Sequence, residues 1–279
     1  MTAVDWVARW RGDEGQHYSS EAARYDDINR AFGDALIEAA GLAPGERVLD
    51  VGCGTGAIVL EAARRVHPGG SVLGIDVSPD LLGIARDRVS HAAMTDVELV
   101  EADAATHPYD EGTFDVVMSR NGLMFFDDAD AAFVTLARAL RPDGRIAFTA
   151  PQGLDRNPWI MVAGAAAVPH VGMPAGVAPD EPGPLGLADP SRIDAVLSPA
   201  GFKQVAVAEV TASICIGTDV QDAVAFIRSI PLVRDQLATA PVTNQAAAID
   251  AVEEALASHA TPDGVIIPGN GAWLVTARR

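Results

Sequence analysis

Residues 48–56 read VLDVGCGTG, an apolar strand that runs directly into a loop containing three glycines. A helical segment follows over residues 58–66, so the glycines lie at a strand-to-helix turn. Glycine lets the backbone bend sharply there and places no Cβ in the path of a ligand, and the helix that follows offers free N–H groups. Taken alone, the stretch also fits the degenerate dinucleotide fingerprint, because Gly52-x-Gly54-x-x-Ala57 satisfies it.

Strands and helices alternate along the chain around this turn. An N-terminal helix is predicted at residues 21–40, and a second helix after the glycines begins at Ser78-Pro79. A later helix is predicted at residues 220–237. Short apolar strands are predicted at residues 47–51, 71–76, 97–100, 114–118, 145–149, 205–216 and 271–277. Continuous apolar strands that alternate with helices indicate a parallel sheet buried on both faces. The sequence therefore predicts an α/β fold with a doubly wound, seven-stranded sheet.

Three carboxylates follow or end the first three predicted strands. Asp50 precedes the glycines, where it would repel a pyrophosphate but suits a ligand with an amine or sulfonium charge. Asp76 ends the second strand, where a carboxylate can accept both hydroxyls of a ribose. Asp103 follows the third strand, placed to accept a hydrogen bond from an adenine amine. Because ligands of open α/β sheets bind at the carboxyl ends of the strands, these three residues predict one nucleoside site.

The motifs around these residues resemble those of the class I S-adenosylmethionine-dependent methyltransferases. Residues 48–56 match that family's first motif in full, residues 74–79 (GIDVSP) match its ribose-binding motif, and residues 101–104 (EADA) match its adenine-binding motif. The turn LRPDGR at residues 140–145 is similar to the family's LRPGG turn, with Asp143 in place of a glycine. The resemblance covers residues 31–150. Residues 119–126 and 157–159 are similar to a bacterial subgroup of ubiquinone-biosynthesis-like methyltransferases.

The resemblance implies a fold, a cofactor and a division of the chain. The sheet would be Rossmann-like and mostly parallel, with residues 271–277 as an antiparallel last strand beside N-terminal helices and a helical and loop substrate cap. The cofactor would be S-adenosyl-L-methionine, with S-adenosyl-L-homocysteine as the product. One methyltransferase domain over residues 1–279 would hold N-terminal helices (1–45), a cofactor-binding core (46–150) and the rest of the sheet (151–279). Two insertions in that last part, residues 151–190 and 219–262, would form the cap.

The resemblance also implies roles for individual residues. Gly52 and Gly54 would pass close to the methionyl part of the cofactor. The Ser119 carbonyl would face the methionyl amine, and Arg120 would lie near the carboxylate. Tyr18 would cover the cofactor from the N-terminal helices. The expected cofactor-binding set is Asp50, Gly52, Gly54, Thr55, Gly56, Asp76, Val77, Asp103, Ala104, Ser119, Arg120 and Tyr18.

Residues for the acceptor and for catalysis are less constrained by the motifs. Phe125, Trp159 and His170 are the candidates for the acceptor pocket. His17 and His170 are the candidate general bases, since only histidine has an ordinary pKa near working pH. A sulfonium is already an activated methyl donor, so alignment and exclusion of water can suffice without a catalytic side chain. No metal is expected, because the acids at 127–130 suit a helix N-terminus on their own.

Composition limits the classes of partner. The chain of 279 residues has 20 Lys and Arg against 38 Asp and Glu, a net charge of −18. This balance argues against nucleic acid, which requires a basic stripe. No apolar run is long enough for a membrane span, and two cysteines are too few for a disulfide framework. We therefore expect a cytoplasmic bacterial protein that acts on a small molecule, with a homodimer left open.

Two other functions stay open from the sequence. One is an NAD(P)-dependent dehydrogenase on a Rossmann fold, which Asp50 and the absence of a Tyr-x-x-x-Lys pair argue against, since Lys203 is the only lysine. The other is a protein that keeps the methyltransferase fold and binds the cofactor without methylating. The leading prediction is methyl transfer to O, N or C of a small molecule, with a place in bacterial secondary metabolism.

Overall fold

The structure, a computed structural model, describes residues 4–173 and 181–279. The α-helices of these ranges are α1 (Trp6–Arg11), α2 (Asp13–Ser20), α3 (Ala22–Ala40), α4 (Ala57–Val66), α5 (Pro79–His91), α6 (Ala129–Ala139), α7 (Pro158–Val171), α8 (Pro190–Leu197), α9 (Val220–Ser229), α10 (Pro231–Thr239) and α11 (Val242–Ala257). The β-strands are β1 (Arg47–Val51), β2 (Ser71–Asp76), β3 (Val97–Glu101), β4 (Phe114–Arg120), β5 (Leu140–Pro151), β6 (Lys203–Gly217), β7 (Ala260–Thr261) and β8 (Gly264–Arg278). None of the helices described is long and apolar enough to cross a membrane.

The strands form one sheet in the order β3-β2-β1-β4-β5-β8-β6, and the two-residue β7 pairs with β8 outside this path. Strands β1 to β5 pair in parallel, whereas β8 runs antiparallel between β5 and β6. The predicted Rossmann-like fold, with a mostly parallel sheet and an antiparallel last strand, is confirmed. Seven strands lie on the main path, and the short β7 is an eighth. The strand order reverses between β1 and β4, which is where open α/β sheets bind ligands.

Apolar side chains cover both faces of the sheet. On one face α3, α4 and α5 bury a cluster that includes Leu36, Val59, Leu82 and Met118. On the other face α6 and α8 bury Phe133, Leu136, Ile193 and Val196 against β4 and β5. Burial on both sides explains why β1 and β4 are continuous apolar runs.

The local signals at helix ends act as the sequence indicates. Ser78 caps α5 by accepting a hydrogen bond from the Leu81 N–H, and Pro79 occupies the first helical position. Gly41 ends α3 in the left-handed conformation at φ 56°. The Ser78 cap starts α5 at the sheet edge that carries the glycine loop, whereas Gly41 ends α3 at the opposite edge, before β1 begins.

Three predicted elements differ from those observed. The single helix expected over residues 220–237 is divided at Pro231, because proline lacks the N–H that would continue α9 and instead begins α10. Strand β5 begins at Leu140 rather than 145, with the turn residue Asp143 at φ 63° inside it. Strand β8 begins at Gly264 rather than 271, because its first half pairs with the end of β6.

Candidate functional site

The glycine loop after β1 approaches the loop after β4 closely. Gly52, Gly54 and Gly56 have φ of 66°, 54° and 82°, a region that only glycine enters readily. A Cβ on Gly52 would lie 3.1 Å from the Cα of Gly122, so the close approach of the two loops also requires a glycine at position 52. The Gly54 N–H donates to Oδ2 of Asp76 at 2.8 Å and ties the loop to the end of β2.

Asp76 is buried and held by the backbone on two sides. Its Oδ1 accepts from the Ser78 N–H at 2.8 Å, and its Oδ2 accepts from Gly54. Burial raises the pKa of Asp76, and the backbone hydrogen bonds oppose that rise. Each carboxylate oxygen can accept a further bond, so Asp76 is oriented and still able to receive two hydroxyls of a ligand.

Asp50 is buried without a partner among the described residues. The residue is 1 % exposed, and neither carboxylate oxygen accepts a hydrogen bond. Burial raises the pKa of Asp50 to about 7, and Asp76 adds to the rise while Arg120 opposes it. A buried carboxylate without a partner is costly, so its position in a cavity wall suits a ligand that brings positive charge.

Charged side chains cross the glycine loop and connect it to α3. Asp26 of α3 pairs with Arg88 of α5 at 2.7 Å, and Arg88 donates to Oγ1 of Thr55 at 3.0 Å. Arg120, at the end of β4, lies 3.7 Å from Asp26, and its burial lowers its pKa. The network fixes the loop against two helices and keeps the Arg120 guanidinium near Asp50.

These residues open onto a cavity of about 290 Å³. Its polar wall comes from the carboxyl ends of β1, β2, β3 and β4. Asp103, whose Oδ1 accepts from the Ala105 N–H at 2.9 Å, lies in this wall. The predicted residues that line the cavity are Asp50, Gly52, Gly54, Thr55, Asp76, Val77, Asp103, Ala104, Arg120, Tyr18, Phe125 and Trp159.

An aromatic wall faces the polar one. Trp6 and Trp10 of α1 lie 4.9 and 5.2 Å from Phe125 between ring centroids, and Trp10 lies 4.8 Å from Tyr18. Tyr18 stacks on Tyr25 at 3.6 Å. Since these rings line the same cavity as the glycine loop, the cavity has a polar part for a nucleoside and an apolar part for a second molecule.

Four predicted site residues lie outside the cavity wall. Gly56 begins α4, and the Ser119 hydroxyl donates to the Val51 carbonyl at 2.7 Å. His17 lies behind Tyr25, and His170 is half-buried near the end of α7. Residues 174–180 of the predicted cap lie outside the described residues.

Several cavity residues were not predicted from the sequence. The unpredicted lining residues include Trp6, Trp10, Tyr25, Asp26, Asn29, Asn157, Leu185 and Asn270. Trp6 and Trp10, four residues apart, share one face of α1, so an aromatic face was readable there. Asp26 and Asn270 carried no such signal, because only the packing of α3 and β8 brings them to the site.

No cluster of metal-ligating side chains occurs in the parts of the chain that the structure describes. Asp128 caps α6 by accepting a hydrogen bond from the Ala131 N–H at 2.9 Å, and Asp130 lies in the first turn. The start of α6 therefore accounts for Asp128 and Asp130.

The glycine loop and its neighbours match known sequences. Residues 48–144 match the family model of a methyltransferase domain. Aklanonic acid methyltransferase DauC of Streptomyces sp. strain C5 is 35% identical over 140 residues, which are 49% of this chain and 64% of the relative. The ubiquinone/menaquinone biosynthesis C-methyltransferase UbiE of Teredinibacter turnerae is 34% identical over 147 residues, 48% of this chain and 59% of the relative. The matches thus span about three fifths of these relatives.

Solved structures share the fold. Phosphoethanolamine N-methyltransferase 2 of Haemonchus contortus superposes with a TM-score of 0.59 at 18% identity, over 100% of this chain and 61% of that one. The [4+2]-cyclase SpnF superposes with a TM-score of 0.56 at 21% identity, over 95% of both chains. By sequence, residues 48–144 match a methyltransferase domain, and the solved structures share its fold, so the resemblance to the class I S-adenosylmethionine-dependent methyltransferases is confirmed.

Proposed function

We propose that this protein transfers a methyl group from S-adenosylmethionine to a small-molecule acceptor. The observation that carries the proposal is the buried, unpartnered Asp50 in the described wall of a cavity that also presents Asp76 and Asp103. A ligand with a cationic amine, two ribose hydroxyls and an adenine amine would meet a carboxylate at each of these groups. The negative Asp50 disfavours a pyrophosphate at the same loop, and so disfavours NAD(P).

The residues present fit this cofactor. Asp76 would hold the ribose, Asp103 and the Ala104 N–H the adenine, and Asp50 the methionyl amine. Arg120 would lie near the methionyl carboxylate. When bound, the cofactor supplies a methyl carbon already activated by its sulfonium, so the chain needs no side chain to activate the donor.

The remaining work of the chain is to orient the acceptor and exclude water. The aromatic wall, together with Trp159, does both, because it offers flat surfaces and few groups to which water can hydrogen-bond. Two hydrogen bonds hold the segment that contributes Leu185 to the cavity wall. Trp6 Nε1 donates to the Pro182 carbonyl at 2.6 Å, and Trp273 Nε1 donates to the Ala188 carbonyl at 2.7 Å.

The predicted cap divides into two parts with different positions. Residues 151–190 supply Trp159 and Leu185 to the cavity wall, whereas none of the lining residues described comes from 219–262. The second insertion instead packs Phe226 and Val252 behind Tyr25. We infer that the first insertion selects the acceptor and that the second supports the wall.

The names of the relatives support an acceptor of small size. Aklanonic acid methyltransferase and the ubiquinone/menaquinone C-methyltransferase are both bacterial proteins named for small-molecule substrates or pathways. We infer a similar class of acceptor here, in bacterial secondary metabolism. A cytoplasmic location belongs to the same proposal and agrees with the two cysteines, which are both free thiols.

A second candidate function has one observation in its favour. The fold is shared over 95% of both chains with a protein whose title names a [4+2]-cyclase, so this fold does not require methyl transfer. Such a protein would bind the cofactor without consuming it. Measuring the release of S-adenosylhomocysteine across acceptor classes separates the two, because only a methyltransferase produces it.

Cofactor binding is tested by thermal shift. We expect S-adenosylhomocysteine, and not NAD(P), to raise the melting temperature. Asp76→Ala should abolish this rise, because it removes the acceptor for the ribose hydroxyls and also releases the Gly54 and Ser78 N–H groups. Stabilisation by NAD(P) alone would contradict the function, and a rise that persists in Asp76→Ala would contradict the ribose assignment.

A further inference from the structure

A buried histidine–tyrosine pair borders the aromatic wall. Nε2 of His17, in α2, lies 2.9 Å from the hydroxyl oxygen of Tyr25, in α3. Each residue is 7 % exposed. Tyr25 lines the cavity and His17 lies behind it, so the pair leads from the cavity into the protein. Neither residue has a place in the cofactor contacts proposed above.

The surroundings hold both rings in position. Tyr25 is stacked on Tyr18 with an angle of 5° between the ring planes, and its hydroxyl is hydrogen bonded to His17. The His17 ring lies on Phe226 at 6.0 Å between centroids. The Tyr25 hydroxyl also contacts the Tyr18 side chain, and its hydrogen bond to His17 gives a proton from the cavity a path to the imidazole.

His17 is suited to receive that proton. Burial lowers the pKa of His17, Arg234 of α10 lowers it further, and Glu21 at the end of α2 opposes the shift. Glu14 on the same helix is paired with Arg9 at 2.9 Å. Burial thus favours the neutral imidazole, the form in which a ring nitrogen can accept a proton.

The other acids of the cavity are engaged elsewhere. Asp76 and Asp103 accept backbone hydrogen bonds at the ends of β2 and β3, and Asp26 is paired with Arg88. Asp50 lies beside the glycine loop, where the cofactor amine is proposed. The pair of Tyr25 and His17 is thus a proton acceptor that borders the aromatic wall and takes no part in the proposed cofactor contacts.

We propose that Tyr25 and His17 form a proton relay and that the acceptor is methylated on a hydroxyl oxygen of a phenol or enol. This inference rests on the proposed function. As the acceptor oxygen bonds to the methyl carbon, the carbon–sulfur bond breaks with its electron pair on sulfur. The acceptor proton passes to the Tyr25 oxygen, and the Tyr25 proton passes to Nε2 of His17. Tyr25 is then a catalytic residue, and His17 acts through it.

The first test is a panel of planar probes with matched nucleophiles. The hydroxyl probes are 1-naphthol, 2-naphthol and 4-hydroxycoumarin, the amine is 1-naphthylamine and the thiol is 1-thionaphthol, each assayed by release of S-adenosylhomocysteine. We expect turnover of the hydroxyl probes only. Turnover of the amine or the thiol alone, or of no probe by a protein that binds S-adenosylhomocysteine, would overturn the hydroxyl assignment. Failure to bind S-adenosylhomocysteine would instead overturn the proposed function.

The second test removes each half of the relay. Tyr25→Phe keeps the stacked ring and His17→Gln keeps a polar group, and each should lower kcat about 100-fold with little change in KM or in S-adenosylhomocysteine affinity. In the wild type, kcat should fall at low pH as His17 becomes protonated and can no longer accept the proton. This acid limb of the pH profile should be absent from both variants. NMR titration of the His17 ring provides a readout independent of turnover, since its pKa should move in Tyr25→Phe.

Matched controls separate the relay from packing. Tyr109→Phe removes another buried hydroxyl, one without a partner in the described structure, and His91→Gln removes a surface imidazole bonded to the Asp87 carbonyl. Both should keep kcat and the pH profile. If Tyr25→Phe keeps kcat within threefold and retains the acid limb, there is no relay.

Discussion

Asp50 is the residue at which function and stability oppose each other. Its buried carboxylate has no partner among the described residues, and its pKa is raised to about 7 against an ordinary value of 3.8. Between these two values the folded protein binds more protons than the unfolded chain, so this group makes the folded state less stable as pH rises from 4 to 7. Above pH 7 the cost is on the order of 2–4 kcal/mol.

Asp50→Asn should therefore stabilise the protein and weaken its ligand binding. We expect a free energy of unfolding close to that of the wild type near pH 4 and higher by roughly 2–4 kcal/mol near pH 8, measured by urea denaturation. The affinity for S-adenosylhomocysteine should fall at least about tenfold, because the substitution removes the negative charge that would pair with the ligand's amine. The exposed Asp34→Asn is the control, and an equal difference at both pH values would contradict the assignment.

At this scale the sequence predicted the strand-end residues better than the helix residues. Asp76 and Asp103 were placed correctly in one wall because a strand end defines a position at the sheet edge. Tyr25 and Asp26 were not predicted, since the side of α3 that meets the cavity depends on how that helix packs. His17 was proposed as a base from the ordinary pKa of histidine and its place in the N-terminal stretch, and the structure places it behind the cavity wall, in contact with Tyr25 and Tyr18.

Helix α2 depends on a glycine for its approach to the cofactor edge of the sheet. A Cβ at Gly15 would overlap Oγ of Ser78 and the carbonyl of Trp10. Gly15→Ala should therefore displace α2 and cost about 1–3 kcal/mol of unfolding free energy, despite the better helix propensity of alanine. It should also weaken S-adenosylhomocysteine binding, because the Ser78 N–H holds Asp76.

Gly83→Ala is the matched control for this prediction. Gly83 lies in the middle of α5, is exposed, and a Cβ there would meet nothing within 4 Å. Alanine should stabilise that helix by roughly 0.5–1 kcal/mol. Opposite signs in urea denaturation support the close packing of α2, whereas a stabilised Gly15→Ala would show that α2 does not contact Ser78.

At the scale of elements, the sequence predicted whether a segment is a helix or a strand more accurately than it predicted the residues at which that element begins and ends. The bounds of β1 and β2 were correct, because a turn signal limits each strand. Strands β5 and β8 are longer than predicted, since their outer parts gain partners only from the rest of the sheet. Pro231, which divides α9 from α10, was a readable signal within the expected helix.

Across the whole molecule, the cavity lies where three apolar clusters meet the glycine loop. Leu49 and Phe148 belong to one face of the sheet and Val48 and Met118 to the other. The third cluster, around Tyr25, joins α3 to the late helices and to β8. The core of the sheet was predictable from local periodicity, whereas this third cluster joins residues about 200 positions apart and had no local signal.

The net charge of −18 gives a test at the scale of the whole molecule. S-adenosylmethionine carries one more positive charge than S-adenosylhomocysteine, so the field of an acidic protein should favour it at low salt. Raising NaCl from about 0.02 to 0.5 M shortens the screening length from roughly 20 to 4 Å and should weaken the binding of S-adenosylmethionine about threefold. S-adenosylhomocysteine should change much less, and sinefungin, which keeps the positive charge, should follow S-adenosylmethionine in calorimetry. If all three ligands have the same salt dependence, the surface charge has no part in cofactor binding and serves only solubility.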